Sequence, residues 1–142
     1  MLIDRYSRTI DYLRISVTDR CDLRCTYCMP KGFTDFDKPK HWLSFTEIER
    51  VVRQFADVGT NHFRLTGGEP LLRNIIVELV ERLKSIEGVH ELSLSTNATQ
   101  LEHYAHDLKR AGLDRINVSL DSLTRQGVAK ITGFGAKDKV LA

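Results

Sequence analysis

Four segments of the chain alternate between apolar and polar residues, and each is followed by a stretch with helical spacing. In Tyr12–Thr18, Leu13, Ile15 and Val17 oppose Arg14, Ser16 and Thr18. In His62–Thr66, Phe63 and Leu65 oppose Arg64 and Thr66, and in Glu91–Thr96, Leu92 and Leu94 oppose Ser93 and Ser95. Arg115–Leu120 sets Ile116, Val118 and Leu120 against Arg115, Asn117 and Ser119. A period of two is that of a strand with one buried face. Between the strands, Ser44 and Glu47 form a capping-box pattern that opens a helix with apolar Ile48, Val51, Val52 and Phe55 and a stop at Gly59. A second helix is predicted over Ile75–Lys84, with Ile76, Leu79, Val80 and Leu83 on one face. A third covers Leu101–Ala111 and stops at Gly112, and a last helical segment begins near Leu123.

Repeated strand–helix units of about thirty residues predict the α/β class, with a parallel sheet and right-handed crossovers. An antiparallel sheet with one wet face also alternates, but the intervening helical patterns oppose it. Helices must cover the apolar face, so the polar residues of four adjacent strands converge on the other. In an ordinary (β/α)₈ barrel the inner face is filled by branched apolar side chains. Here it becomes a polar cavity wide enough for a charged ligand. Four βα units are about half of such a barrel, which typically needs some 250 residues. Lys137–Ala142 is helix-like sequence without a closing Gly, Pro or polar cap. The expectation is that residues 1–142 are the N-terminal part of one domain, a partial (β/α) barrel, with a C-terminal domain beyond them.

Composition narrows little. With 42% apolar and 28% charged residues, the 142-residue chain is ordinary for a soluble domain. Its net charge of +2 comes from scattered basic residues, with no Lys/Arg stripe to suggest nucleic acid. Met1–Tyr6 lacks the apolar core of a signal peptide, and no stretch is long enough to cross a membrane. The cysteines change the picture. All three fall within Cys21-Asp22-Leu23-Arg24-Cys25-Thr26-Tyr27-Cys28. Three thiolates this close can each hold one corner of a cubic iron–sulfur cluster, leaving the fourth iron open to a small molecule. The blander readings are a structural zinc, with His41 as the nearest fourth ligand, and a disulfide that leaves one thiol over. Reduced thiols without an export signal point to the cytoplasm.

The spacing of Cys21, Cys25 and Cys28, with Tyr27 beside the last, resembles the motif of the radical S-adenosylmethionine (SAM) superfamily. Gly67-Gly68-Glu69-Pro70, directly after a strand, resembles that superfamily's glycine-rich loop. Within it, Leu13–Cys21, Cys28-Met29-Pro30, Arg64–Arg73 and Asn117–Leu123 resemble the MoaA-type GTP 3′,8-cyclases, which begin molybdenum-cofactor biosynthesis. The resemblance covers the whole chain but only the front part of the family's length. It implies a [4Fe-4S] cluster on Cys21, Cys25 and Cys28, whose open iron chelates SAM. It implies reductive cleavage to a 5′-deoxyadenosyl radical that attacks GTP at C3′ and leads to bonding at C8, giving (8S)-3′,8-cyclo-7,8-dihydroguanosine 5′-triphosphate. Tyr27 (through its backbone), Gly68 and Ser119 match SAM-contacting positions, and Arg14, Arg64 and Ser95 match GTP-contacting ones. The last three also lie on the polar face derived from the alternation. Carboxylate partners inside the barrel are the structural alternative for the two arginines. Ser95 stands where the family often has Thr, and Ala98 where Gly is common. A reductant such as flavodoxin or ferredoxin, a homodimer of the full-length protein, and a downstream cyclic pyranopterin monophosphate synthase are the implied partners. A second cluster, more basic residues for GTP and a Gly-Gly tail belong to the family's C-terminal part. Another radical SAM enzyme, such as a peptide-modifying maturase, and a non-catalytic metal-binding module are the competing functions.

Overall fold

The computed structural model describes residues 1–30, 32–36 and 39–133. In chain order the elements are β1 (Tyr12–Ser16), α1 (Phe45–Asp57), β2 (His62–Thr66), α2 (Ile76–Lys84), β3 (Glu91–Thr96), α3 (Leu101–Arg110), β4 (Arg115–Val118) and α4 (Arg125–Thr132), with 3₁₀ turns at Pro39–His41 and Pro70–Leu72. The four strands form one parallel sheet in the order β1-β2-β3-β4. Sequential parallel neighbours joined through helices are the expected α/β arrangement.

The apolar face of each central strand is the core. Phe63, Leu65, Leu92 and Leu94 are fully buried, beneath Ile48 and Val52 of α1, Ile76, Leu79, Val80 and Leu83 of α2, and Leu108 of α3. Each such side chain contributes about 1.5–3 kcal/mol by leaving water. The capping box is present as the sequence indicates. Ser44 Oγ accepts from the Glu47 amide at 3.3 Å, and the Glu47 carboxylate accepts from the Ser44 amide at 2.7 Å.

The differences from expectation cluster at strand ends. The first strand stops at Ser16 instead of Thr18, although the Val17 amide still donates to Thr66 O at 2.9 Å. Beyond that point the chain bends to meet the Gly67-Gly68 turn. The second helix begins at Ile76, because Ile75 takes a left-handed conformation with φ of 54°. The fourth strand ends at Val118; Ile116 packs against the core as expected, but Val118 is 47% exposed. Val118 lies on the edge strand of the described sheet, with β3 on one side alone. The last-turn carbonyls of α4, Thr132 O and Ile131 O, accept from the amides of Arg24 and Thr26, both at 2.9 Å, so the end of this helix is tied to the cysteine loop. The segment Lys137–Ala142 lies outside the described residues.

Candidate active site

The polar face is built row by row. Arg14 pairs with Arg64, Arg64 with Ser93, and Ser93 with Arg115, so one row of the sheet carries three guanidinium side chains. The next row toward the C-terminal ends brings Ser16 opposite Thr66, and Ser95 opposite Asn117. Arg115 is paired with Glu91 at 3.0 Å. Arg64 donates through Nε to Ser93 Oγ at 3.2 Å and lies 5.4 Å from the centre of the Tyr12 ring. Among the described residues no carboxylate pairs with Arg14 or Arg64. Ser93 departs from an open polar face. It is fully buried, with its hydroxyl donating to Phe63 O at 3.3 Å and accepting from Arg64.

The cysteine loop leaves the C-terminal end of β1. Leu23 buries its side chain as an anchor, and the Arg24 guanidinium clamps Cys21 O at 2.6 Å and Leu23 O at 2.9 Å. The amides of Cys28 and Met29 both turn back to Cys25 O, at 2.9 and 3.1 Å. Cys21 and Cys25 are half-buried and Cys28 is exposed. Burial pushes the Cys21 thiol up, against the lowering effect of the Leu23 amide, and the nearby Asp22, Glu69 and Cys25 add to the rise. Burial also raises the Cys25 thiol, opposed by a hydrogen bond from Tyr27.

The glycine-rich turn is docked against this loop at van der Waals limits. Gly68 N donates to Thr18 O at 2.7 Å and Glu69 N to Arg20 O at 2.6 Å. A Cβ on Gly68 would stand 2.1 Å from Arg20 O, and one on Gly67, which has a φ of 147°, 2.2 Å from Thr18 O. The missing side chain of Gly68 is therefore required by the chain's own backbone, one residue before Cys21.

Three residues with no role assigned from the sequence hold the strand ends together. Glu69 is buried: Oε1 accepts from Leu71 N at 3.0 Å and Thr96 Oγ1 at 2.7 Å, and Oε2 from Asn97 N at 2.7 Å. Burial raises its carboxyl above the ordinary value, and the three donors oppose the rise. Asn97 Nδ2 reaches Asp22 Oδ1 at 2.7 Å and Cys21 Sγ at 3.8 Å. Arg73 donates to Val17 O and Leu43 O, with its guanidinium about 5.1 Å from the rings of both Trp42 and Phe45. Glu69 stood inside the glycine-rich loop motif and Arg73 at the end of the Arg64–Arg73 segment, but neither motif spoke of these contacts; Asn97 had only its position just past a strand's C-terminal end, where sites on this kind of fold gather.

Tyr27 and Ser119 meet across a cleft between the cysteine loop, the end of β4 and α4, lined also by Cys25, Asn97, Leu120 and Val128. Ser119 N donates to Thr96 O at 2.8 Å. The Tyr27 hydroxyl donates to Asp121 Oδ2 at 2.8 Å, and that bond raises the phenol's pKa. Ala98 keeps the left-handed conformation a glycine would favour, with φ of 62°, so the substitution does not redirect the turn after β3.

The donor set fits an iron–sulfur cluster. Among the described residues, no three His, Cys, Asp or Glu side chains meet at a point that one metal ion could occupy. A cluster asks something different, since each thiolate binds its own iron at a separate corner. His41 lies on the 3₁₀ turn Pro39–His41.

A parallel βα sheet with a three-cysteine loop after its first strand, and a glycine turn docked on the start of that loop, defines a class, and comparison with known families agrees. The chain belongs to the radical SAM superfamily, whose family model matches residues 15–142. The cofactors of that class are a [4Fe-4S] cluster and SAM. A GTP 3′,8-cyclase of Hydrogenovibrio crunogenus is 46% identical over 142 residues, covering 99% of this chain and 43% of that protein. The GTP 3′,8-cyclase of Thermodesulfovibrio yellowstonii is 49% identical over 138 residues, covering 96% and 43%. That of Lactiplantibacillus plantarum is 46% identical over 140 residues, covering 99% and 42%. The chain thus spans about two-fifths of the length of the curated relatives it matches. Among solved structures, BtrN in complex with AdoMet and 2-DOIA superposes with a TM-score of 0.57 at 18% identity, over 93% of this chain and 55% of that one, a likeness of fold. No helix among the described residues is long and apolar enough to cross a membrane.

Proposed function

We propose that this chain forms the SAM-cleaving part of a GTP 3′,8-cyclase, which converts GTP to (8S)-3′,8-cyclo-7,8-dihydroguanosine 5′-triphosphate in the first step of molybdenum-cofactor biosynthesis. The observation that carries the reading is 46% identity, over 99% of this chain, to a protein named for that reaction. Arg14 and Arg64, adjacent in register and without a carboxylate partner among the described residues, support it, because two planar guanidinium groups can fork onto the oxygens of a triphosphate.

Cys21, Cys25 and Cys28 hold the cluster, and their thiols must release protons on loading. Bound together, cluster and SAM supply an electron and a reactive carbon radical. The chain's own task is placement. The Tyr27 backbone, Gly68 and Ser119 position SAM, while Ser95 offers GTP a hydroxyl two residues along β3 from the arginine row. The guanine is held by a second cluster and basic residues in the remainder of the family's length. A flavodoxin- or ferredoxin-type reductant, a homodimer of the full-length protein, a synthase that makes cyclic pyranopterin monophosphate from the product, and a cytoplasmic setting complete the proposal.

The test is GTP binding in a protein spanning the relatives' full length. Arg14→Ala and Arg64→Ala should each weaken it by about 1.5–3 kcal/mol, the range of a hydrogen bond to a charged group. SAM cleavage without GTP should survive. A variant that binds GTP normally and loses SAM cleavage would reverse the assignment.

A further inference from the structure

Asn97 stands just beyond the last residue of β3 with both ends of its amide committed. Its backbone N–H is held by Glu69 Oε2 at 2.7 Å. Its Oδ1 accepts from Thr99 N at 3.0 Å and lies 2.9 Å from Thr99 Oγ1. The Thr99 backbone N–H on Oδ1 decides which end of the amide is oxygen, so Nδ2 faces the cysteine loop. One of its hydrogens goes to Asp22 Oδ1 at 2.7 Å, and the other is left for Cys21 Sγ at 3.8 Å. Leu23 N reaches the same sulfur at 3.4 Å. Asp22 is tethered at its second oxygen by the Thr99 hydroxyl. The residue aimed at Cys21 is thus fixed by strand β3, the glycine-turn glutamate and Thr99, none of which belongs to the cysteine loop.

We propose that Asn97 sets the reduction potential of the cluster through the Cys21 sulfur, and so controls how readily the cluster takes up the electron that SAM cleavage consumes. A donor to a ligating sulfur withdraws electron density and favours the reduced, more negative cluster. Asp22 acts in the opposite sense, since its Oδ1 lies 4.0 Å from Cys21 Sγ and a negative charge there opposes reduction; the Asn97 and Thr99 hydrogen bonds it accepts temper that charge. The inference concerns the superfamily's cofactor and stands whichever substrate the enzyme uses.

The experiment is a redox titration of the anaerobically reconstituted protein, followed by electron paramagnetic resonance of the reduced cluster, with iron content measured in parallel. Asn97→Ala keeps the backbone bond to Glu69 and removes the donor. At a fixed potential its reduced-to-oxidised ratio should fall by a factor of about three to ten, the span of one hydrogen bond. Asn97→Asp keeps an acceptor for Thr99 but turns an oxygen toward the sulfur, and the fall should be larger. Thr99→Val loosens the loop without touching the sulfur donor and should shift the ratio less than Asn97→Ala. Unchanged potentials in both Asn97 variants, a shift to more positive values, or an equal shift in Thr99→Val would overturn the proposal. Should Asn97→Ala hold no iron, the Asn97→Asp titration decides by the same criterion.

Discussion

Gly68→Ala puts one methyl group where the Arg20 carbonyl already is. The added Cβ would lie 2.1 Å from Arg20 O, 2.5 Å from its carbonyl carbon and 2.7 Å from Asp19 O. Contacts below 3.0 Å are essentially never seen for a real Cβ, so the carbonyl must retreat by about 1 Å. None of the three atoms can swing aside as a side chain would. The retreat strains two short backbone bonds, Gly68 N to Thr18 O at 2.7 Å and Glu69 N to Arg20 O at 2.6 Å. Losing both costs about 1–3 kcal/mol, and overpacking a tight site typically costs about 1–3 kcal/mol. The damage falls one residue before Cys21, so cluster retention should drop together with SAM affinity. The family resemblance gave Gly68 only a place among SAM-contacting positions, and its approach to Arg20 adds a part in holding the cysteine loop. The assay is iron per chain after anaerobic reconstitution and gel filtration, with a thermal melt on the same sample. Full iron content and an unchanged melting temperature in Gly68→Ala, with SAM affinity alone reduced, would refute the reasoning.

Two further outcomes follow from charged groups that bridge elements. Asp114 Oδ2 accepts from Leu92 N and Lys84 Nζ, both at 2.7 Å, joining the turn before β4 to β3 and α2. Burial alone would raise this carboxyl, but those donors outweigh it and hold the value below the ordinary 3.8. Its contribution is therefore present above that pH and lost as pH falls through the lower folded value, and Asp114→Asn should cost about 1 kcal/mol at pH 7, after allowance for solvent screening, and nothing in acid. An equal loss at both pH values, read from urea melts, would contradict this. Glu69 behaves in the opposite sense. Its folded value is raised, so its contribution is complete below the ordinary 4.5 and declines as pH climbs through the raised value. Glu69→Gln turns an amide N–H toward one of three donors and should cost about 1–3 kcal/mol, while removing that decline; a stability–pH curve of unchanged slope would count against it.

The sheet and its helices were legible because local chemistry and burial agree. Phe63 and Leu65 alternate with polar neighbours and are fully buried, and Ser44 and Glu47 announce α1 by a pairing that needs no tertiary partner. The polar row of Arg14 and Arg64 follows from the same alternation once the strands are parallel and in register. What was not legible depends on contacts between segments far apart in sequence. Ser93 reads as an open polar position but is closed over by Arg64. Val118 reads as core but stays exposed on the edge strand of the described sheet. Glu69, Asn97 and Arg73 gain their roles only when the loops after different strands meet, and the Gly68–Arg20 approach is a distance no spacing rule encodes.

The central claim is that Cys21, Cys25 and Cys28 hold a cluster with an iron left open for SAM. It is tested most directly by electron paramagnetic resonance of the reduced, anaerobically reconstituted protein before and after SAM is added. The account predicts about four irons and four sulfides per chain. It also predicts a reduced-cluster spectrum that changes on adding SAM, and its loss when any of the three cysteines is replaced by Ala. Zinc in place of iron, or a cluster whose spectrum ignores SAM at saturating concentration, would contradict it.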